Sequence, residues 1–554
     1  MGRADDPFSG GKAGGEAVSL QVKYVDIPLG AQEAASAYTS AYQRFGAEQQ
    51  LLTGAEDTPW ATLEPGSWKL DGTGMLFSEW PSDVGWWSAF RSEADGRFLQ
   101  PPVIQILFPQ GYTATGITFD FWESLNHWCS EISVTWYKEN VVLQEVTAFP
   151  DEPHWVLDNL VEGFDRIDIS LLATNHPGHF AKIRKITIGQ IAVFAEDELV
   201  QVRLLQEVDP SLCELSVDTL SVAVRDRKNR ILFPQKNQSV QLYQNGELIA
   251  SHYVSDFSRQ GQQDYRFRCK SSVGKLEDVY LGGILYTTVG EFLQTLLQDV
   301  PYELDEEFEN IRLDGFVPFC TRREALQQVA FAIGAVVTTG ADGTIYLRPE
   351  ALELGGSFAD DQVFLGAKVT QKTRIAQVQL MAHRYIAGDV RETLLNEEVV
   401  SGSDGLYVFS KPYYSYLLTG GELEDQGGNW VKIRANGPVT LTARPFVHTT
   451  VSYSMKNPQA TAQEQGNVVT IKNATLVNPD NAQQVLNRLY WHYMQRNLLQ
   501  QQVVVSGQQV GQLIRSVNPW DTATEGYLIS MDRDFTGTGQ TAQISILGQE
   551  VPRQ

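Results

Sequence analysis

Between Thr321 and Pro349 the chain reads TRREALQQVAFAIGAVVTTGADGTIYLRP, in which a start signal, a helix, a strand and a hairpin follow one another without a break. Thr321 with Glu324 three residues on has the capping-box spacing, where each side chain satisfies a free backbone N–H at the other residue. Leu326, Val329, Ala330 and Ile333 recur at helical spacing on one face, and Gly334 can end the helix with positive φ. Ala335 to Thr339 then reads as a strand, Gly340-Ala341-Asp342-Gly343 as a turn, and Thr344 to Arg348 as a returning strand that Pro349 stops. A stretch of this kind packs against neighbours. It carries no nucleophile, metal-ligand set or phosphate loop.

A chain of 554 residues exceeds what one core can hold, and ordinary domain sizes suggest about three or four. Aromatic content of 10% and 23 prolines scattered among short Val/Ile/Thr/Tyr runs predict a mainly β protein. Apolar runs stay short of the ~18–20 residues a membrane helix needs, and MGRADDPFSGGKAGGEA at the N-terminus lacks the apolar core of a secretory signal. The expectation is a soluble chain with no membrane span that does not use the general export route. A formal charge of −24 argues against specific nucleic-acid binding, which depends on Lys and Arg. Cys129, Cys213, Cys269 and Cys320 are too widely spaced for a metal knuckle or a disulfide framework, so they read as isolated thiols, with no metal and no cofactor implied.

Taken in order, residues 1–59 read as an N-terminal arm, with a strand-like Ser19 to Ile27 and weak helical periodicity from Ala31 to Leu52. From 60 to 195 the pattern is short alternating strands: Val103 to Phe108, Gly116 to Trp122, Glu131 to Tyr137, Val141 to Phe149, Phe164 to Ser170 and Lys182 to Ile188. Such spacing favours an antiparallel sandwich. GITFDFW at 116–122, ISVTWYKEN at 132–140 and the closing KIRKITIGQ resemble a discoidin-like or galactose-binding-like jelly roll. Trp80, Trp86 and Trp87 are the candidate glycan or partner contacts, since an indole face can stack on a sugar ring; the competing reading is core packing. His176-Pro177-Gly178-His179 reads as an exposed loop tip.

Beyond 195, Asn245-Gly246 is a type I′ hairpin signal, and Val289 to Gln298 is a helix with Leu293, Leu296 and Leu297 on its apolar side. Tyr302 to Asn310 reads as a solvated acidic run. Asn478-Pro479-Asp480 supplies an N-cap with Pro at the first helical position, opening a helix that runs to about Asn497. Glu525-Gly526 reads as a turn between two of the last strands. The succession of GELIASHYV after the Asn-Gly turn, YRFRCKSSVGKLE, GGILY before a helix, and REALQQVAFAIGA with its hairpin resembles the central hub or tail-tip proteins of bacteriophage tails and related particles.

That resemblance implies two tube-like β-barrels with α+β insertions; the N-terminal jelly-roll sandwich in front of them is an addition that the hub family does not need. The implied boundaries are 60–195 for the sandwich, 196–284 for part of the first barrel, 285–350 for an α/β insert, 351–475 for the second barrel and barrel completion, 476–500 for a helical insert and 501–554 for the final strands. It also implies a homotrimeric ring at the virion tail tip. Its partners would be the tail tube or distal tail protein on one side and tip, spike or tail-fibre proteins on the other. The sequence holds no HExxH, GxSxG or P-loop motif, and the chain reads as structural, not enzymatic. The competing function is a carbohydrate-binding adhesion protein that recognises host surface glycans through the sandwich.

Overall fold

The computed structural model describes residues 19–40, 42–43, 48, 50–55, 64, 85–230, 232–535 and 541–553. Strands dominate and helices are few, as the composition predicts. The frame is one sheet of 13 strands. It runs from Gln190–Ala195 through Leu20–Asp26, Ser239–Gln244, Glu247–Gln260, Asp264–Lys270 and Thr219–Arg225 to Leu199–Glu207. There it crosses to Thr522–Asp534 and continues through Thr541–Pro552 and Asn497–Val504 to Lys368–Gln371, while Leu513–Val517 and Leu354–Phe358 branch beside Thr522–Asp534. The crossing is an antiparallel seam in register from Arg203 opposite Asp534 to Glu207 opposite Ser530.

Alternation decides which face closes on itself. In Asp264–Lys270, Tyr265, Phe267 and Cys269 point inward while Arg266 and Arg268 face out, the period of two that a half-buried strand requires. The sheet curls twice and encloses two separate cores, one around Tyr24, Phe194 and Phe267 and one around Leu528, Ile544 and Ile546. One sheet forms both curls, and residues 377–471 form a separate six-stranded sheet. Asn245 and Gly246 both have positive φ, 53° and 82°, as a type I′ hairpin requires.

Leu20–Asp26, in the stretch read as an arm, is hydrogen bonded on both sides, to Gln190–Ala195 and to Ser239–Gln244. The sandwich lies between these two adjacent strands in sequence, so it is an insertion into the first curl. Its main sheet orders Ser36–Thr39, Val103–Asp120, His154–Ala173, Glu131–Lys138 and Val141–Ala148, with Lys185–Ile188 also beside Val103–Asp120. The single helix suggested for Ala31 to Leu52 is instead a turn of helix at Ala31–Ala34, the strand Ser36–Thr39 and a turn at Gln50–Thr53. Pairing of Ser36–Thr39 with Ile104–Leu107 overrides a weak helical period.

At the insert, Thr321 and Glu324 form the complete capping box, the helix spans Arg322–Ile333, and Gly334 has φ 84°. Strands Ala335–Thr339 and Ile345–Pro349 follow as read, and Tyr302–Leu304 adds a parallel third strand to them. The acidic run around it is thus partly ordered, because Phe308 of the short helix Glu306–Glu309 is buried in the insert core. The helix Ala482–Met494 starts later than the Asn478-Pro479 signal suggests. Asn478 Oδ1 instead accepts the N–H groups of Asp480 at 2.9 Å and Asn481 at 3.2 Å, closing a turn that hands the N-cap position to Asn481.

Gly526 also departs from its reading. It lies inside Thr522–Asp534, directly opposite Gly548, and a Cβ on either would overlap the facing strand. Glycine here permits close backbone approach and makes no turn. Gly548→Ala should lower stability by about 3 kcal/mol, measured by urea unfolding of the full chain. A loss under about 0.5 kcal/mol, the scale of an ordinary surface change, would show that the strands can separate freely there.

Candidate interaction surfaces

The tryptophans come first because the sequence singled them out. Trp80 lies outside the described residues. Trp86 and Trp87 open the strand Trp86–Arg91 and are buried, at 0% and 2% exposure. Trp86 belongs to the main sandwich core with Trp136, while Trp87 packs edge-on to Trp122 with ring centroids 6.5 Å apart. Neither indole offers a face to a sugar ring.

Beside Trp87 lies a cluster the sequence reading missed. His179 is 3% exposed and His176 is half-buried, so in the 176–179 turn Pro177 is exposed while the two histidines turn inward. His127, His176 and His179 stand with ring centroids 5.2, 5.3 and 5.7 Å apart. Lys182 and Glu64, both fully buried, pair at 2.7 Å, and the Lys182 ammonium sits 4.6 Å over the Trp87 ring. His179 Nδ1 is 3.8 Å from the same carboxylate. Burial first, then the Lys182 charge, pushes His127 well below the ordinary imidazole value, and His176 is lowered for the same reasons. Among the described residues no group of three His, Cys, Asp or Glu side chains is arranged to hold a metal ion. Here the Lys182 ammonium already supplies the cation that Glu64 faces. Separations of about 50 residues between His127, the 176–179 pair and Glu64 leave no local spacing by which to find this cluster.

A cleft of about 1410 Å³ opens between the polar side of helix Arg322–Ile333 and the paired strands Gln377–Ala387 and Trp430–Lys456. Inside it the His383 and His448 rings stack 5.1 Å apart with Nδ1 and Nε2 2.9 Å from each other, and Tyr385 stacks on His448 at 4.6 Å. Burial, then the neighbouring His448, lowers His383. One ring nitrogen of the two donates to the other across this contact. Cys213 and Cys320 line the same cleft, but burial raises both thiols, Cys320 to about 12, so neither is a thiolate at neutral pH. The cleft is a polar recess with weak nucleophiles.

The third kind of surface is the unpaired sheet edge. Among the described residues Gln190–Ala195 and Lys368–Gln371 pair on one side only, at the two ends of the long sheet, and Leu354–Phe358 does so on its branch. Ile191 and Val193 are exposed on the first of these. Arg230 guards part of that edge, donating to the Val193 carbonyl at 2.8 Å while held by Glu198 and Asp226. Open edges with apolar side chains are the natural sites for pairing with another chain.

No family model matches this chain, and no curated protein matches it in sequence. Solved structures do match in shape. They include the 43 kDa tail protein of prophage MuSo2 from Shewanella oneidensis, 12% identical over 64% of this chain and 96% of that one, with a TM-score of 0.40. The tail protein from Neisseria meningitidis MC58 is 10% identical over 65% and 94%, with a TM-score of 0.42. The family 32 CBM from C. perfringens NanJ, solved with galactose, is 11% identical over 31% of this chain and 99% of its own, with a TM-score of 0.20. These likenesses assign no ligand, partner or activity to this chain.

The burial of Trp86 makes a direct prediction. Trp86→Ala should cost roughly 3–5 kcal/mol in chemical unfolding, the scale for emptying an aromatic core position. A cost below about 0.5 kcal/mol would return Trp86 to the surface and reopen its stacking role.

Proposed function

We propose that this chain is a structural hub of a phage tail tip or baseplate, a ring that joins the tail tube to the tip or spike and forms part of the DNA channel. The observation that carries this reading is the single sheet curled twice, whose two end strands each pair with one strand only among the described residues. A sheet that leaves both ends open is completed by neighbours, and identical copies meeting end to end close into a ring. The sequence resemblance of the Asn-Gly hairpin and of the insert helix with its hairpin makes that ring a trimer under a tail tube. A net charge of −24 suits a channel through which DNA passes without sticking, because like charge suppresses phosphate contact. The chain then acts by shape, and its insert is the packing module between the curls.

Host-glycan recognition by the sandwich would need an open aromatic face, which neither Trp86 nor Trp87 offers. The ring reading is tested by light scattering of the purified chain, alone and with its tail neighbours. The expected mass is three times the 61.8 kDa of one chain. A species that stays monomeric with its neighbours present and never enters particles overturns it.

The insert supplies a second test. Val329 is fully buried on the apolar face of the helix Arg322–Ile333. Val329→Asp buries a carboxylate with no counter-charge, a change of several kcal/mol, and should abolish ring assembly through misfolding of the insert. Normal assembly of that variant would mean the helix face does not pack as described.

A further inference from the structure

The cluster at the end of the sandwich brings together three of the eight histidines in the chain around a buried ion pair. Two of them, His176 and His179, sit on one turn, residues 174–179, which is pinned from three directions. His127 Nε2 and Thr174 Oγ1 are 3.3 Å apart; Ser92 N donates to the His179 carbonyl at 2.9 Å; and Gly178 N donates to Ser92 Oγ at 3.0 Å. The Nδ1 atoms of His127 and His176 are buried without a hydrogen-bond partner among the described residues. Next to the turn, the Lys182–Glu64 pair, with Phe180 N donating to Glu64 at 2.7 Å, lies beside the packed aromatic cluster of Trp87, Trp122 and Phe180.

Among the described residues, the charged groups acting on the histidines are Lys182, which is cationic, and Glu64, which is anionic and already engaged by Lys182. A proton added to the cluster therefore meets the Lys182 cation and a carboxylate that this cation already occupies.

We propose that this cluster is an acid-sensitive latch: when its histidines take up protons, the turn 174–179 leaves the end of the sandwich and bares the aromatic cluster of Trp87, Trp122 and Phe180. The direction follows from linkage. His127 and His176 are held neutral when buried and regain the ordinary imidazole affinity when the turn opens, so the open form binds more protons. Closure is complete above about pH 6.5 and is lost as the pH falls below it, with up to about tenfold more open form per pH unit for each histidine released. The indoles that are closed to any ligand at neutral pH become the surface that acid exposes.

Amide hydrogen exchange on the full chain at about pH 7.5 and about pH 5, corrected for the intrinsic rate, tests this. Protection of residues 174–183 should fall by about tenfold or more at the lower pH, while Asp264–Lys270 in the first curl keeps its protection. In His127→Gln/His176→Gln the pH response of 174–183 should disappear. His176→Gln alone, at a partly exposed position that should preserve the fold, should reduce it. Protection of 174–183 that stays flat across the range overturns the latch. So does a response undiminished in His176→Gln, which would mean that the histidines are not the groups that open the turn.

Discussion

A single buried carboxylate, Asp26, holds the sandwich to the first curl. It is 3% exposed, at the end of the strand Leu20–Asp26, and no cation pairs with it among the described residues. Three donors and one shared hydroxyl take the place of a counter-charge. Thr115 Oγ1 and Phe233 N donate to one oxygen at 2.8 and 3.1 Å, and the Tyr24 hydroxyl and Gln238 Nε2 lie 3.0 and 3.2 Å from the other. Tyr24 OH also lies 2.5 Å from Gln238 Oε1, which binds the hydroxyl into the same network. Burial and the Asp26 charge hold the Tyr24 phenol well above its ordinary value. Hydrogen bonds to an ionised group contribute about 1.5–3 kcal/mol each, and a buried charge left without them is strongly destabilising. Thr115 belongs to the sandwich and Phe233 and Gln238 to the first curl, so one side chain fixes both. Gly189 completes the junction, since a Cβ there would overlap the Asp26 carbonyl.

From that junction the order of the chain follows. Leu20–Asp26 and Gln190–Ala195 lie side by side in the curl, and everything between them in sequence is looped out as the sandwich. Farther on, the seam between Leu199–Glu207 and Thr522–Asp534 joins the second curl to the first, reinforced by a bidentate ion pair between Arg203 and Asp532. The insert is tied in at another point. Arg488, on helix Ala482–Met494, donates to the Phe331 carbonyl at 2.6 Å, at the C-terminal end of helix Arg322–Ile333, where free carbonyls attract a cation. Burial lowers the Arg488 guanidinium to about 10, which still leaves it charged at neutral pH. Gly334 leaves the space that its side chain occupies.

How much of this was legible in the sequence depended on whether the signal was local. Thr321, Glu324 and Gly334 announce a helix from its own residues, and Asn245-Gly246 announces a hairpin by its need for positive φ; both are found as read. Gly526 carries the same letter as a turn, and its true role depends on Gly548 across the sheet, which one sequence cannot reveal. Nothing local marks Asp26 within the strand-like run Ser19 to Ile27, because the donors that define it come from Thr115 and Phe233, far along the chain. The His127, His176 and His179 cluster was hidden for the same reason. Pro177-Gly178 correctly marks a turn, but whether a turn faces solvent is decided by what packs on it, here Glu64, Lys182 and Trp87.

On the proposed reading this chain is a scaffold whose long sheet is completed by its neighbours, with the insert filling the space between the curls and the sandwich held outside the first. Electron cryomicroscopy of particles that contain the chain tests that claim most directly. The predicted result is three copies around the tail axis, each with its continuous sheet facing the channel and the unpaired edges at Gln190–Ala195 and Lys368–Gln371 in contact with neighbouring density. Copies attached singly at the periphery of the particle, with both edges open to solvent, would contradict it.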